Sequence, residues 1–212
     1  MRYNFIMELE NYKDLILYIK QQHEAISFEW DNYCLVNNIT SFNQKKVQVI
    51  DLQKNAALSR VVEAYVRFVA ENNQECNTYL DERDVRYRIK TANSVNSKIA
   101  KYINSNAEQG RVPVFKCLND IFGARIITKE HYDYEIISAF FNKNFPKLKC
   151  VPSIKNGYNA THIYFKTDNF HFQWELQIWS VEHEAANVAS HMKHKEAYAK
   201  WEENIVVFDP EG

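Results

Sequence analysis

A chain of 212 residues, 46% of them hydrophobic, is long enough for one well-cored domain carrying a helical appendage. Its formal net charge of −1 excludes a broadly basic nucleic-acid coat while leaving room for a local cationic patch that grips phosphates. The 4 Gly and 4 Pro fall in no low-complexity run, and neither a secretory leader nor an 18-residue apolar run is present; with Cys34, Cys76, Cys117 and Cys150 at neither metal nor redox spacing, we expect a cytoplasmic protein with reduced thiols and no membrane contact.

Residues 1 to about 80 read as helical. Leu58, Val61, Val62, Tyr65, Val66 and Val69 recur at steps of three and four, an apolar stripe that faces a core. Phe28, Trp30, Tyr33 and Leu35 make the first forty residues aromatic enough to pack, either on the domain or on another protein. Arg86, Arg88 and Lys90 then alternate as on one face of an extended segment. Thr91 or Asn93 caps a following helix in which Val95, Ile99, Tyr102 and Ile103 form the buried stripe, with Ser94 and Lys98 sharing another face. Cationic groups and a hydroxyl so gathered beside a helix N-terminus fit a phosphate site, as they fit a solvated cationic surface.

Ala124 to Thr128 is β-branched and strand-like, with Gly123 just before it and Asp120 and Arg125 flanking a turn. Residues 133–145 return to helical periodicity through Ile136, Ile137, Phe140 and Phe141. The element order belongs to the α+β or α/β class. We expect α+β: a mixed or antiparallel sheet flanked by helices, with a helical N-terminal region over 1–80 and the chemical motifs over 85–195 of a single domain spanning 1–212.

Asp168-Asn169 reads as the two-residue turn of a hairpin. Pairing then sets Phe165 opposite Phe172, Ile163 opposite Trp174, and His162 opposite Glu175 with Cβ atoms about 5 Å apart. A slip of one residue would expel the aromatics, so the polar face carries His162, Glu175 and Gln177 together. Glu175 on such a face suits proton abstraction from a hydroxyl, Mg²⁺ ligation, or both, and Asp120 on a neighbouring strand end would complete a pair of hard oxygen ligands. Tyr158, on a Gly-permitted turn at the rim, offers a ring for a base to stack on. An exposed polar sheet face with a structural Tyr corner is the alternative.

These motifs together resemble the synthetase domain of the RelA/SpoT family. The resemblance rests on Arg88-Ile-Lys90-x-x-x-Ser94-x-x-x-Lys98, Asp120-Ile-x-Gly123-x-Arg125-Ile, Asn156-Gly157-Tyr158-x-Ala160-x-His162, Glu175-Leu-Gln177-Ile and His191, in the family's order over roughly residues 85 to 195. It implies a nucleotidyltransferase-like fold and an Mg²⁺-dependent pyrophosphokinase that transfers the β,γ-pyrophosphate of ATP to a ribose 3′-hydroxyl and releases AMP. By position, Arg88 and Arg125 are implied to hold the adenine, Lys90, Ser94 and Lys98 the ATP phosphates, and Asp120 and Glu175 the Mg²⁺, with Glu175 also the general base. Tyr158 is implied to stack on the acceptor base near Asn156 and His191, and His162 and Gln177 to border the reacting centre. With no hydrolase segment before it and no regulatory one after it, the sequence resembles the small, stand-alone alarmone synthetases.

It departs from them where Trp179-Ser180 replaces Arg-Thr and Asn159 replaces a basic residue after Gly-Tyr. A GDP or GTP acceptor brings a 5′ polyphosphate that wants those charges, whereas the 3′-CCA end of tRNA does not. The Trp-Glu-Leu-Gln-Ile-Trp string resembles the toxic branch of the small synthetases, some of which pyrophosphorylate tRNA while others make adenosine or guanosine alarmones. This implies a translation-inhibiting toxin with an antitoxin partner; the alternatives are a (p)ppGpp synthetase and a nucleotide-binding regulator without catalysis. Lys45, Lys46, Lys143, Lys147, Lys149, Lys193 and Lys195 are candidates for gripping a tRNA backbone. In the closing helix Val181, Ala185, Val188 and Met192 read as the core face, and His183, Asn187, His191 and Lys195 as a polar stripe that no Cys or carboxylate set completes into a zinc site. As a rim residue, Tyr158 should tolerate truncation to Ala with loss of transfer but not of the fold.

Overall fold

The structure, a computed structural model, describes residues 8–83 and 85–199, with side chains described as far as Lys193, so Lys195 lies beyond them. Its N-terminal half is helical. Helix α1 (Lys13–Val36) buries Leu15, Ile16, Ile19, His23, Ile26, Trp30 and Cys34 along one face. The short α2 (Val49–Lys54) leads into α3 (Ala56–Asn72), which is capped by the Asn55 side chain and buries Val61, Val62, Tyr65, Val66, Phe68 and Val69. Each such aliphatic side chain contributes about 1.5–3 kcal/mol when taken out of water. Trp30 stacks on Tyr33 and meets Tyr65 edge-on, whereas Phe28 and Leu35 stay exposed, so the early aromatic residues divide between core and surface. A fourth helix, α4 (Gln74–Asp81), precedes the sheet.

Five strands form one mixed sheet. They are β1 (Arg86–Ile89), β2 (Phe122–Thr128), β3 (Lys149–Lys155), β4 (Tyr158–Phe165) and β5 (Trp174–Ser180), in the spatial order β1-β2-β5-β4-β3. Only β2 and β5 pair in parallel. Helix α5 (Ala92–Asn104) and the one-turn α6 (Val114–Cys117) fall between β1 and β2, α7 (Tyr134–Asn144) between β2 and β3, and α8 (Val181–Ala199) follows β5. One apolar cluster runs from Leu9 through the α1 and α3 faces to Ile163, Leu176 and Ile178 on the sheet. The expected α+β architecture with helical N-terminal elements is the one observed.

Three local expectations are corrected. Asp168-Asn169 is not a two-residue turn: Phe165 pairs with Trp174 and His162 with Gln177, a register two residues from the expected one, and 166–173 form a loop. The loop is pulled away from the ladder. The Asp168 carboxylate accepts from the backbone N–H of Phe170 and His171, the Gln44 amide donates to the Phe170 carbonyl, and Phe172 leaves the strand to pack on Tyr65. Because the slip is even, every side chain keeps its face. The tight turn lies instead at Asn156-Gly157, both at positive φ, joining β4 to β3, an edge strand the sequence reading missed because it carries Pro152.

The third correction concerns α8. Val181, Val188 and Met192 are exposed while Asn187 and Ser190 are buried, so its polar stripe faces inward and its apolar one outward. The sheet face it covers is itself polar, which inverts the usual amphipathic rule.

His23 ties α1 to the loop by donating from Nε2 to the Phe172 carbonyl at 3.0 Å. Burial is the main reason its pKa falls to about 4. An unfolded imidazole titrates near 6.5, so between those values the unfolded chain binds a proton the fold refuses. Stability is therefore full above about pH 6.5 and declines toward pH 4 by up to about 1.4 kcal/mol per pH unit from this group. Denaturant titrations at pH 5 and pH 7 should show a smaller loss for His23→Gln than for the wild type.

Candidate active site

The pleat and the strand register assemble the polar face in rows. Arg88, Gly123, Glu175 and Tyr164 stand side by side across β1, β2, β5 and β4, and Arg86, Arg125, Gln177 and His162 form the next row. Gly123 leaves a gap between Arg88 and Glu175. A hollow of about 100 Å³ opens there, lined by those residues and by Arg125 and Gln177.

The cationic side is built by β1 and α5. Lys90 follows β1 directly, and the Thr91 hydroxyl caps α5 by accepting from the Ser94 N–H. One turn on, Lys98 reaches back toward the loop before β2. There the Asp120 carboxylate meets Lys98 Nζ at 2.9 Å, Lys90 Nζ at 3.2 Å and an Arg88 guanidinium nitrogen at 3.2 Å. Burial raises the Asp120 pKa, but Lys98, Lys90 and Arg88 outweigh it and hold the carboxyl well below the usual range. Burial lowers the Lys90 pKa, with the Asp120 charge opposing it. Lys90, Lys98 and Arg88 against one carboxylate leave a local excess of positive charge, a setting suited to an anion.

The acidic side is built by β4 and β5. Glu175, 5% exposed, lies diagonally from His162 and accepts from His162 Nδ1 at 2.9 Å and from Gln177 Nε2 at 2.7 Å. Burial pushes its pKa up, but the His162 hydrogen bond and charge prevail, so it remains a carboxylate below its ordinary range. His162 Nε2 lies 2.9 Å from the Tyr158 hydroxyl, and that hydroxyl accepts from Trp179 Nε1 at 3.3 Å. Arg125 donates to Gln177 Oε1 and lies 3.5 Å above the Trp179 ring. From α8, His191 covers Tyr158 and Trp179; its Nε2 is buried without a partner among the described residues, and burial followed by Arg125 and Arg88 takes its pKa down to about 4.

The two sides face one cleft of about 640 Å³. Arg88, Lys90, Ser94 and Lys98 line it from one side, Asp120 from its floor, and His162, Glu175, Gln177 and His191 from the other. Residues 87–199 match the family described as "Region found in RelA / SpoT proteins". The chain belongs to the RelA/SpoT family. It is also similar to the small alarmone synthetase 2 of Bacillus subtilis, at 18% identity over 69% of this chain and 83% of that one, with a TM-score of 0.36. The small alarmone synthetase 1 of Bacillus subtilis, in a structure bound to AMPCPP, aligns at 19% identity over 66% of this chain and 75% of that one, with a TM-score of 0.32. No curated protein sequence matches the chain significantly.

In this RelA/SpoT chain most of the residues expected at the site converge, with Arg125 in the adjoining hollow, and two do not. Asn156 is exposed at the β3–β4 turn and does not line the cleft. Tyr158, expected at the rim, is 9% exposed and forms a small buried cluster with Ala160 and Trp179. Tyr158→Ala should therefore cost about 3–5 kcal/mol of stability, measurable as a lower denaturant midpoint, instead of sparing the fold.

The sequence reading missed Tyr164, which lines the cleft, stands opposite Glu175 and approaches His162 Nδ1 at 3.4 Å. Its spacing of two from His162 on one strand was the available signal; the two-residue register error hid its partner. Lys101 and Lys116 also line the cleft and carry no motif that marks them.

Proposed function

We propose that this protein is a cytoplasmic, ATP-dependent pyrophosphokinase whose favoured acceptor is the 3′-CCA end of tRNA. The observation that carries the reaction class is the Asp120 carboxylate standing among Lys90, Lys98 and Arg88 in the same cleft as Glu175. Those cations suit a polyphosphate, with Ser94 beside them, and binding one would release Asp120 from its present partners. Asp120 and Glu175 are then the hard oxygen donors suited to Mg²⁺, which would neutralise the charge of the transferring group. Glu175, kept ionised and oriented by His162 and Gln177, would accept the proton of the attacking hydroxyl. Arg88 and Arg125 would hold the adenine, the latter with Trp179 already stacked on its other face.

Two observations support a tRNA acceptor. Where small synthetases carry basic residues, Trp179 is buried beneath Arg125, and Asn159 is fixed by exchanging two 2.8 Å hydrogen bonds with Asn187. Neither offers a cation to a 5′ polyphosphate, a loss of about 1.5–3 kcal/mol per charge-assisted contact. Separately, Lys45 and Lys166 both approach the Phe115 ring, and Lys166 feels the charges of Lys45 and Lys149. This cationic group suits a nucleic-acid backbone, and growth inhibition relieved by an antitoxin protein would follow.

Incubation with γ-labelled ATP and Mg²⁺, offering either deacylated tRNA or GDP and GTP, tests the proposal. We expect label on the tRNA 3′ end. Label confined to guanine nucleotides would assign the chain to (p)ppGpp synthesis, and label on neither would favour a non-catalytic regulator.

A further inference from the structure

Outside the cleft, among the described residues, one cluster has the composition of a metal site. His131, in the loop after β2, faces Glu182 and His183 in the first turn of α8, and one ligand atom from each lies within 4.8 Å of the others. Glu182 Oε1 sits between the two rings, 3.2 Å from His131 Nδ1 and 3.1 Å from His183 Nε2. Ligands bound to zinc at 2.0–2.2 Å in a tetrahedron stand about 3.3–3.6 Å apart, so these two edges are close to formed already.

We propose that His131, Glu182 and His183 bind a divalent transition-metal ion, Zn²⁺ above all, through two imidazole nitrogens and one carboxylate oxygen. Nitrogen donors favour a borderline ion over Mg²⁺ or Ca²⁺, which select oxygen. The surroundings fit as well. The far nitrogen of His131, Nε2, lies 3.4 Å from Asp133 Oδ1, the outer carboxylate that fixes the tautomer of a ligating histidine. Ser180 Oγ stands 3.4 Å from His131 Nδ1, and three protein ligands leave a fourth position for water.

The site is separate from the cleft. It flanks the C-terminal end of β5, and the five residue steps from Glu175 to Ser180 span about 17 Å of strand. Sequence reading placed His183 on a stripe that lacked a completing ligand set, because the missing partner, His131, lies 52 positions upstream and meets it only through the β2–β5 pairing. An ion there would pin the start of α8 to the loop after β2. The same helix brings His191 over the cleft and is tied to β1 by the 2.6 Å Arg86–Glu184 pair. The inference does not depend on the identity of the acceptor or on catalysis.

Titrating Co²⁺ into the untagged full-length protein, with Mg²⁺ in excess, tests it. One equivalent should give the intense visible absorption of tetrahedral Co²⁺, displaced by Zn²⁺. His131→Ala and His183→Ala should each abolish that absorption, Asp133→Asn should weaken binding about 10-fold, and Glu175→Gln should leave it unchanged. In chelator the His131→Ala and His183→Ala variants and the wild type should melt together, with Zn²⁺ raising only the wild-type melting temperature. Weak octahedral absorption of the wild type, binding retained without both histidines, or loss of binding in Glu175→Gln would each overturn the proposal.

Discussion

Glu175→Gln is expected to reduce pyrophosphoryl transfer by about 10²- to 10⁴-fold, the usual contribution of a positioned proton acceptor, in kcat more than in the KM for ATP. The change keeps the volume and removes the charge. It also creates a conflict, since Gln177 Nε2 now donates to Glu175 while Gln177 Oε1 is engaged by Arg125. The Gln177 amide cannot turn over without losing Arg125, and His162 Nδ1 faces the other Glu175 oxygen, so an amide with a single acceptor oxygen leaves its NH2 against one of these two nitrogens, at about 1–3 kcal/mol where that nitrogen bears its proton. Single-turnover transfer measured beside thermal unfolding would separate the two effects. A variant that unfolds earlier yet transfers at the wild-type rate would remove Glu175 from the reaction.

Asp120→Asn should destabilise the unliganded protein by about 3 kcal/mol, the lower end of the cost of breaking a buried ion pair, because Arg88 retains access to water. Lys90 and Lys98 do not, with side chains only 9% and 12% exposed. The loss should be reversible by an anion. Tripolyphosphate, or ATP without Mg²⁺, should raise the melting temperature of Asp120→Asn more than that of the wild type, while transfer with Mg²⁺ stays abolished. Equal response of both proteins to the anion would show that these cations do not form the phosphate site.

Features set by short-range periodicity were legible in the sequence. The α3 stripe through Val62, Tyr65 and Val69, the Thr91 cap of α5, and the sorting of Glu175 and Gln177 onto the face opposite Leu176 all follow from spacing. Features set by competition between distant groups were not. The 166–173 loop gave up hairpin pairing because His23 and Gln44, more than a hundred positions away, take its carbonyls. The faces of α8 were inverted because the surface it covers is polar, a property of β2, β4 and β5 and not of the helix. Tyr158 looked like a rim residue because it follows a glycine turn; the Trp179 and His191 rings, from elements distant in sequence, and the His162 ring on its own strand bury it. Most of the residues that line the cleft were legible as a group, since one sheet face and one capped helix carry nearly all of them, whereas the pairing of Asp120 with Lys90, Lys98 and Arg88 depends on how those two elements meet.

The parallel union of β2 with β5 bears on how the protein is born. During translation β2 emerges with one flank filled by β1 and the other bare, and that vacancy lasts until about fifty further residues have left the ribosome. A nascent chain therefore carries Lys90 and Lys98 long before Glu175, and any product ended prematurely before Trp174 would lack both β5 and that carboxylate. The cleft is complete only once synthesis has passed the last strand and the His191 turn of α8 behind it.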